Sequence, residues 1–399
     1  MRIASNQFFQ LNLNSLQQQE FRVRTTQLQI TSGQKLLAPA DDPAGATRIL
    51  ALEQRMASLE QYGRNNTLLE NQLQIEEAAV QEMHGLLDDA RELLIDVNNG
   101  THTGGDYKTF GDDMRQIRDQ LFSLGNSRDA NGEFMFAGTA TKTQPFVFDA
   151  VNGFQYQGDQ QNRSVIVAAG RELKFGDSGF DLFVDIFTGN QGITASANNV
   201  NTGSGVLGAV SETTVGSYNG DDFRITFTAE GVFDVTNESP PGASVSVGNL
   251  FTPGDSISIG GITVKLDGVP KAGDQFDFVP STRQNLLTTI DDLATGLESA
   301  TTTNVAKLTN QINRGLENVD AALERTNGIR SRVGNRLNAV DAVREANESF
   351  SLAYVTTLSE IRDLDFTEAA TRLTQEVNSL EIAHAAFARV QNLSLFDFI

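Results

Sequence analysis

AGATRILALEQRMASLEQYGRNNTLLENQLQIEEAAVQEMHGLLDDARELLIDVN, residues 44–98, decides the fold. Leu52, Leu59, Asn66, Leu73, Val80, Leu87 and Leu94 fall at seven-residue intervals, with Ile49, Met56, Leu69, Met83 and Val97 beside them. That spacing gathers the apolar side chains on one stripe of a helix. At about 1.5 Å per residue the segment makes a rod of roughly 80 Å. A rod with one apolar face needs partner helices. Asn66 is the polar exception in the ladder, a residue type that sets register at some cost in stability.

Upstream, Phe9, Leu16, Val23 and Ile30 form a shorter ladder, widened by Leu13 and Leu28. Gly33 suits the left-handed turn that ends a helix. Pro39 and Pro43 prevent continuation, and Asp42 then reads as an N-cap with Pro43 at the first helical position. Downstream of the rod, a break at Gly104-Gly105 precedes a shorter helix over about 106–125. A second arm returns at about residue 285. There Val305, Ile312, Val319, Thr326, Val333 and Val340 repeat every seven residues, with Leu316, Leu323 and Leu337 alongside. This rod can pack antiparallel to the first. After Asp363-Leu364-Asp365 the last helix carries Phe366, Leu373, Leu380 and Phe387 on one face, flanked by Val377 and Val390, and the sequence finishes LSLFDFI.

Between the arms, residues 131–284 hold 22 of the 35 Gly, six of the eight Pro and 15 of the 25 Phe. Strands are expected at 134–138, 146–148, 154–158, 164–169, 223–229, 244–248, 256–266 and 275–279, where residues alternate or are β-branched and aromatic. Turns fall at Asn152-Gly153, Asp159, Pro240-Pro241-Gly242 and Asp267-Gly268. Residues 189–220 are rich in Gly, Ser, Thr and Asn and read as a long mobile loop or weakly ordered strands. The fold class is α+β and multidomain: long antiparallel helical rods and terminal coiled-coil helices with a β-rich inserted domain. The expected division is 1–43 with 362–399 as a terminal coiled-coil domain, 44–130 with 285–361 as a helical rod domain, and 131–284 as the insert.

Composition narrows the chemistry. The 399 residues carry 51 acidic and 30 basic side chains, a formal charge of −21. A nucleic-acid partner needs a basic face and is not expected. With no Cys there is neither a disulfide nor a thiolate site. The three histidines, His84, His102 and His384, are scattered, so no metal centre is expected. No apolar run is long enough for a membrane span, and MRIASNQFF does not open a cleaved signal peptide. By these signals alone the chain reads as cytoplasmic. Gly203-Ser204-Gly205-Val206-Leu207-Gly208 matches a dinucleotide-binding pattern, but polar residues 198–202 precede it where a buried strand is required. Asn219-Gly220-Asp221-Asp222 lacks the ligand spacing of a calcium loop. No nucleophile, base and orienting group stand together, so no enzymatic activity and no cofactor are expected.

Apolar chain ends are unusual in a soluble monomer. Phe9, Leu16, Val23 and Ile30 are expected to pair with Leu373, Leu380, Phe387 and Leu395, and with neighbouring copies of the chain. An ordinary intramolecular stalk explains the periodicity equally well. The stretch QITSGQKLLAPADDPAGATRILALEQRMASLEQYGRNN (29–66) adds specific residues: Ser32-Gly33, Asp41-Asp42-Pro43-Ala44-Gly45 and Arg64-Asn65. It resembles the N-terminal helical region of flagellins and flagellar hook-associated proteins. MRIASNQFF, GEFMFAGTATKTQPF (132–146) and SLFDFI resemble the hook-filament junction family more than flagellin itself. Flagellins typically open with Ile-Asn-Thr-Asn and carry Ala-Ala-Gly after the paired Asp, where this chain has Pro-Ala-Gly. The likeness covers both arms and the insert to about residue 175.

The resemblance implies a non-enzymatic structural subunit. Its terminal helices would line an axial channel, the rods would surround them, and the insert would project outward. It implies passage through the flagellar type III export apparatus without a cleaved signal, hence an extracellular location in the bacterial flagellum. The implied partners are hook-associated protein 1, flagellin, further copies of the chain in a junction ring, and an export chaperone. The competing readings are a filament flagellin, a secreted surface-binding protein or adhesin with the insert as its binding module, and a hydrolase in the insert.

Overall fold

The computed structural model describes residues 2–99, 102–190, 192–239, 243–300 and 305–396, without the side chains of 2–6, 8 and 390–396. The turn expected at Pro240-Pro241-Gly242 and the side chain of Leu395 lie outside the described residues. The described residues form six α-helices: α1 (Arg2–Ser32), α2 (Pro43–Asn99), α3 (Gly104–Gly125), α4 (Leu286–Glu298), α5 (Val305–Arg362) and α6 (Phe366–Phe396). Two compact units result, one of Met1–Arg64 with Ala342–Ile399 and one of Asn65–Asp341. Helices α2 and α5 contribute a segment to each.

The second unit has a dense helical core. Leu73, Val80, Leu87 and Leu94 of the α2 ladder are buried, as are Ile312, Val319, Val333 and Val340 of α5. Side-chain pairs fix these helices antiparallel. Arg91 Nε donates to Asp320 Oδ1 at 2.7 Å, Arg330 Nε to Glu77 Oε1 at 3.1 Å, and Asn98 Nδ2 to Asn313 Oδ1 at 3.3 Å. α3 opens with a capping box, in which Thr103 and Asp106 satisfy each other's backbone donors. It packs closely on α4: a Cβ at Gly111 would meet Glu298 Cγ at 2.6 Å and the Ala294 carbonyl at 3.0 Å.

Among the described residues the insert carries fourteen strands. β1 (Phe146–Asp149) and β2 (Gly153–Tyr156) form a hairpin, as do β3 (Ser164–Ala168) and β4 (Arg171–Lys174). A π-helical turn at Phe180–Val184 leads into β5 (Ile186–Phe187). Next come β6 (Ile193–Ala197), β7 (Val206–Glu212), β8 (Phe223–Ala229), β9 (Val232–Asn237) and β10 (Ala243–Leu250). β11 (Ser256–Ile259), β12 (Ile262–Asp267), β13 (Gln275–Pro280) and β14 (Arg283–Gln284) complete the set. A five-stranded sheet, β10-β9-β8-β13-β6, and a three-stranded sheet, β11-β12-β7, are each antiparallel throughout. They share one core that includes Phe223, Ile225, Phe227, Phe276, Phe278, Ile262 and Leu266. β5 pairs with β14, and these strands lead into and out of the two sheets.

Three sequence expectations change. Residues 256–266, expected as one strand, turn at Gly260-Gly261 and form the hairpin β11–β12. Residues 134–138 form turns and make only an isolated bridge, although Phe134, Phe136 and Ala137 are buried. Their alternation reports burial, not pairing: Gly138 adopts φ +69° and turns the chain away. Residues 189–220, too polar to stand out, supply β6 and β7, whose Ile193, Ala195, Leu207 and Val210 enter the shared core. The glycine pattern 203–208 runs into strand β7, not into a helix. Its Thr202 and Gly203 amides donate to the Asp274 carboxylate at 2.8 and 3.0 Å, so a side chain of the protein occupies the turn.

A buried polar cluster ties the insert to the helices. Glu76 of α2 accepts a hydrogen bond from the Asp177 amide at 2.7 Å. Arg336 of α5 contacts the Asp177 carboxylate directly and lies 3.7 Å from Glu76 Oε2. Arg332 stands 4.0 Å from Asp177. Burial pushes the Glu76 carboxyl up to about 8, Asp177 adding to the rise and Arg336 opposing it. A folded-state value above the unfolded one means that the native state binds this proton more tightly. The stabilisation is complete below about pH 4.5 and is lost as pH rises through about 8. Urea unfolding between pH 5 and 9 is therefore expected to show a falling midpoint. Glu76→Gln should flatten that fall; an unchanged slope in the variant would show that Glu76 ionises freely.

Candidate assembly interface

The first unit is organised by a turn that the family-like residues shape. α1 ends at Gly33, whose φ of +70° is open to glycine at low cost. Its amide closes on the Gln29 carbonyl at 2.9 Å. The Ser32 hydroxyl donates to the Gln29 carbonyl and receives the Gln34 amide. The chain after Gly33 is then laced to the α5–α6 connection. Leu364 N donates to Gly33 O at 3.0 Å, and Lys35 N to Arg362 O at 2.7 Å.

The two aspartates act on successive turns. Asp41 Oδ2 receives the Ala38 amide at 2.9 Å, which folds 38–41 back on itself. Asp42 Oδ1 receives the Gly45 and Ala44 amides at 2.9 and 3.1 Å, satisfying donors that the start of α2 leaves open. Pro43, at the first helical position, has no amide to satisfy. Gly45 is buried in a tight corner: a Cβ would stand 2.5 Å from Asp42 Oδ2 and 3.0 Å from Leu36 Cδ1, so the capping carboxylate would have to shift. Arg64 donates to Gln61 at 2.7 Å, while Asn65, in the second unit, donates to the Ile166 carbonyl at 2.7 Å.

α1 and α6 pack antiparallel. The Phe9 and Phe387 rings lie 5.4 Å apart, Arg372 donates to Gln29 Oε1 at 3.2 Å, and His384 stands 3.8 Å from Glu20. Leu16, Val23, Ile30, Leu373, Leu380 and Phe387 are half-buried, and Phe9 remains 41% exposed. Periodicity alone does not mark a further set of apolar side chains that point outward. Phe21 is 70% exposed, Leu50 66%, Leu352 70% and Ile382 70%, with Leu11, Leu28, Phe350 and Phe366 also open. Among the described residues of this unit, the buried hydrophobic side chains are Val343, Leu358, Leu364 and Ala369. Little buried area thus stands against much exposed apolar surface, the combination from which a contact surface is built. Among the described residues no group of three or more His, Asp or Glu could hold a metal, and no helix is long and apolar enough to cross a membrane.

Comparison with known proteins gives a consistent set. The family described as bacterial flagellin N-terminal helical region matches residues 3–141. Flagellar hook-associated protein 3 of Escherichia coli (strain K12) is 23% identical over 397 residues, covering 100% of this chain and 99% of its own length. The crystal structure of Xanthomonas campestris FlgL superposes with a TM-score of 0.72 at 29% identity, covering 77% of this chain and 99% of that one. Phase 1 flagellin of Salmonella naestved is 25% identical over 130 residues, covering 33% of this chain and 26% of the flagellin.

The geometry separates scaffold from contact surface. Asp42→Ala removes a helix cap and should cost about 1 kcal/mol in urea unfolding. Leu50→Asp and Leu352→Asp touch open surface and should shift monomer stability by about 0.5 kcal/mol or less. A larger loss in the two leucine variants would mean that those side chains are already covered in the free chain.

Proposed function

We propose that the chain is a member of the flagellin superfamily, of the hook-associated protein 3 kind, and that it is a structural subunit joining the flagellar hook to the filament. The observation that carries the mechanism is the first unit's uncovered apolar surface. Helices that cannot bury their own faces gain that burial when sister copies close over them, so ordering and polymerisation are one event. In this reading Phe9, Leu16, Val23 and Ile30 with Leu373, Leu380, Phe387 and Leu395 form the seam, and segments 1–43 and 362–399 are the part that polymerises.

Hook-associated protein 1 is the proposed neighbour on the hook side and flagellin on the filament side, with copies of the chain forming a ring between them. An export chaperone covers the C-terminal helix before assembly. Export proceeds through the flagellar type III apparatus, unfolded and without a cleaved signal, to the extracellular junction. The absence of Cys suits such a passage, since no cross-link can form on the way. A filament flagellin is the nearest alternative. The flagellin likeness stops at a third of this chain, whereas hook-associated protein 3 matches end to end, and this favours the junction.

Two measurements test the reading. Hydrogen exchange on the free monomer should be rapid in about 1–40 and 365–399 and slow in the second unit; strong protection of both terminal segments would refute folding on assembly. A strain lacking the protein should make hooks without filaments and leak flagellin into the medium. Leu50→Asp and Leu352→Asp should fail to restore filaments despite normal monomer stability. Normal filaments in the deletion strain would reject the junction role.

A further inference from the structure

A cleft of about 960 Å³ lies in the second unit, between the insert and helices α4 and α5. That is the size class of pockets that enclose a small organic ligand. The insert contributes the 196–205 segment and Lys271; the helices contribute Thr289, Asp292, Lys307, Gln311 and Arg314. Among the described residues the walls carry amides, hydroxyls and charges, and no aromatic side chain. A nucleobase or a sugar held by stacking would lack its platform.

Arg314 is the unexplained group. Its guanidinium makes no hydrogen bond to any described residue. Burial holds it below the ordinary arginine range, with Glu317 the opposite charge that counteracts this. Five donors in a fixed fork, partly withdrawn from water, are free for an acceptor that a ligand brings. A carboxylate is the planar acceptor that matches the fork. Lys271 and Lys307 add two exposed cations to the same cleft, in a chain whose net charge is −21. Glu230 and Asp292 also line it and can accept hydroxyl protons. The walls are held in place independently of any ligand. Asn310 donates to the Gly205 carbonyl at 2.8 Å and receives the Leu207 amide at 2.7 Å, and Asn318 receives the Gly189 amide at 2.9 Å.

We propose that this cleft binds a small acidic saccharide of the uronic-acid class, its carboxylate on Arg314 and its hydroxyls on the amide and carboxylate walls. A site of this kind gives the insert a binding role in addition to assembly, and it does not depend on the junction reading.

The test is calorimetric titration of the full chain with trigalacturonate, with a neutral trigalactoside, and with inorganic phosphate. Trigalacturonate should bind saturably, and both controls at least about tenfold more weakly. Arg314→Gln should weaken trigalacturonate about tenfold or more while leaving the thermal melt in place. If that variant fails to fold, the exposed pair Lys271→Gln with Lys307→Gln carries the test, with an expected loss of about fivefold. Equal binding of the neutral trisaccharide, equal binding of phosphate alone, no saturable binding of trigalacturonate, or full affinity in a folded variant would each overturn the proposal.

Discussion

Two antiparallel helices can cover only one stripe on each other, and α1 and α6 carry more apolar surface than one stripe. Phe9 meets Phe387 across the seam, yet Phe9 itself stays 41% exposed and Phe21 and Ile382 face outward. Side chains of this size each gain on the order of 2 kcal/mol when fully buried. With so many left open, a large driving force for burial remains. The acidic surplus lets such a chain persist in solution. Self-repulsion opposes random collapse, while a defined neighbour can still bring complementary faces together.

The family-like residues serve this surface without belonging to it. Gly33, Asp41, Asp42, Pro43 and Gly45 commit their hydrogen bonds and their small size to the turn between α1 and α2, and the lacing of residues 33–35 to 362–364 returns α6 alongside α1. Each residue type follows from a local demand: a positive φ at 33, open amides at 44 and 45, and a capping carboxylate that a Cβ at 45 would displace. Such positions are therefore intolerant of change for conformational reasons. The seam asks only for hydrophobic side chains at the right period, and a motif search is correspondingly blind to it.

That division explains what could be read from the sequence. Helix ends at Gly33 and Asp42 were legible because caps are local chemistry, and the buried ladder from Leu73 to Leu94 because a heptad repeat is a long signal. Most strands of the insert were visible by alternation. β6 and β7 were obscured because Thr194, Gly208 and Ala209 lie between their buried positions and Gly, Ser, Thr and Asn dominate the segment around them, a composition that also builds loops. Residues 134–138 misled in the opposite direction, since alternating burial does not require a partner strand. The outward residues Leu50 and Leu352 were invisible as a site, because exposure depends on which neighbours are missing. Arg314 was one arginine among many until folding placed it on the wall of a cleft.

Heptad repeats leave one ambiguity that the buried polar groups remove. α2 and α5 each repeat every seven residues, so sliding one by a heptad would keep apolar against apolar at most positions. It would also carry Arg336 away from Glu76 and Asp177, towards the level of Leu69 or Met83, both fully buried. Leaving a guanidinium there without a carboxylate costs several kcal/mol, more than a slipped apolar seam can recover. Asn66 is buried with both amide atoms unpartnered among the described residues, a cost that the observed register carries. Hydrophobic periodicity thus chooses rods, and a few costly polar residues choose one alignment of them. An assembly subunit needs that fixed alignment, because the surface it offers to its neighbours is only as well defined as the register of the helices that present it.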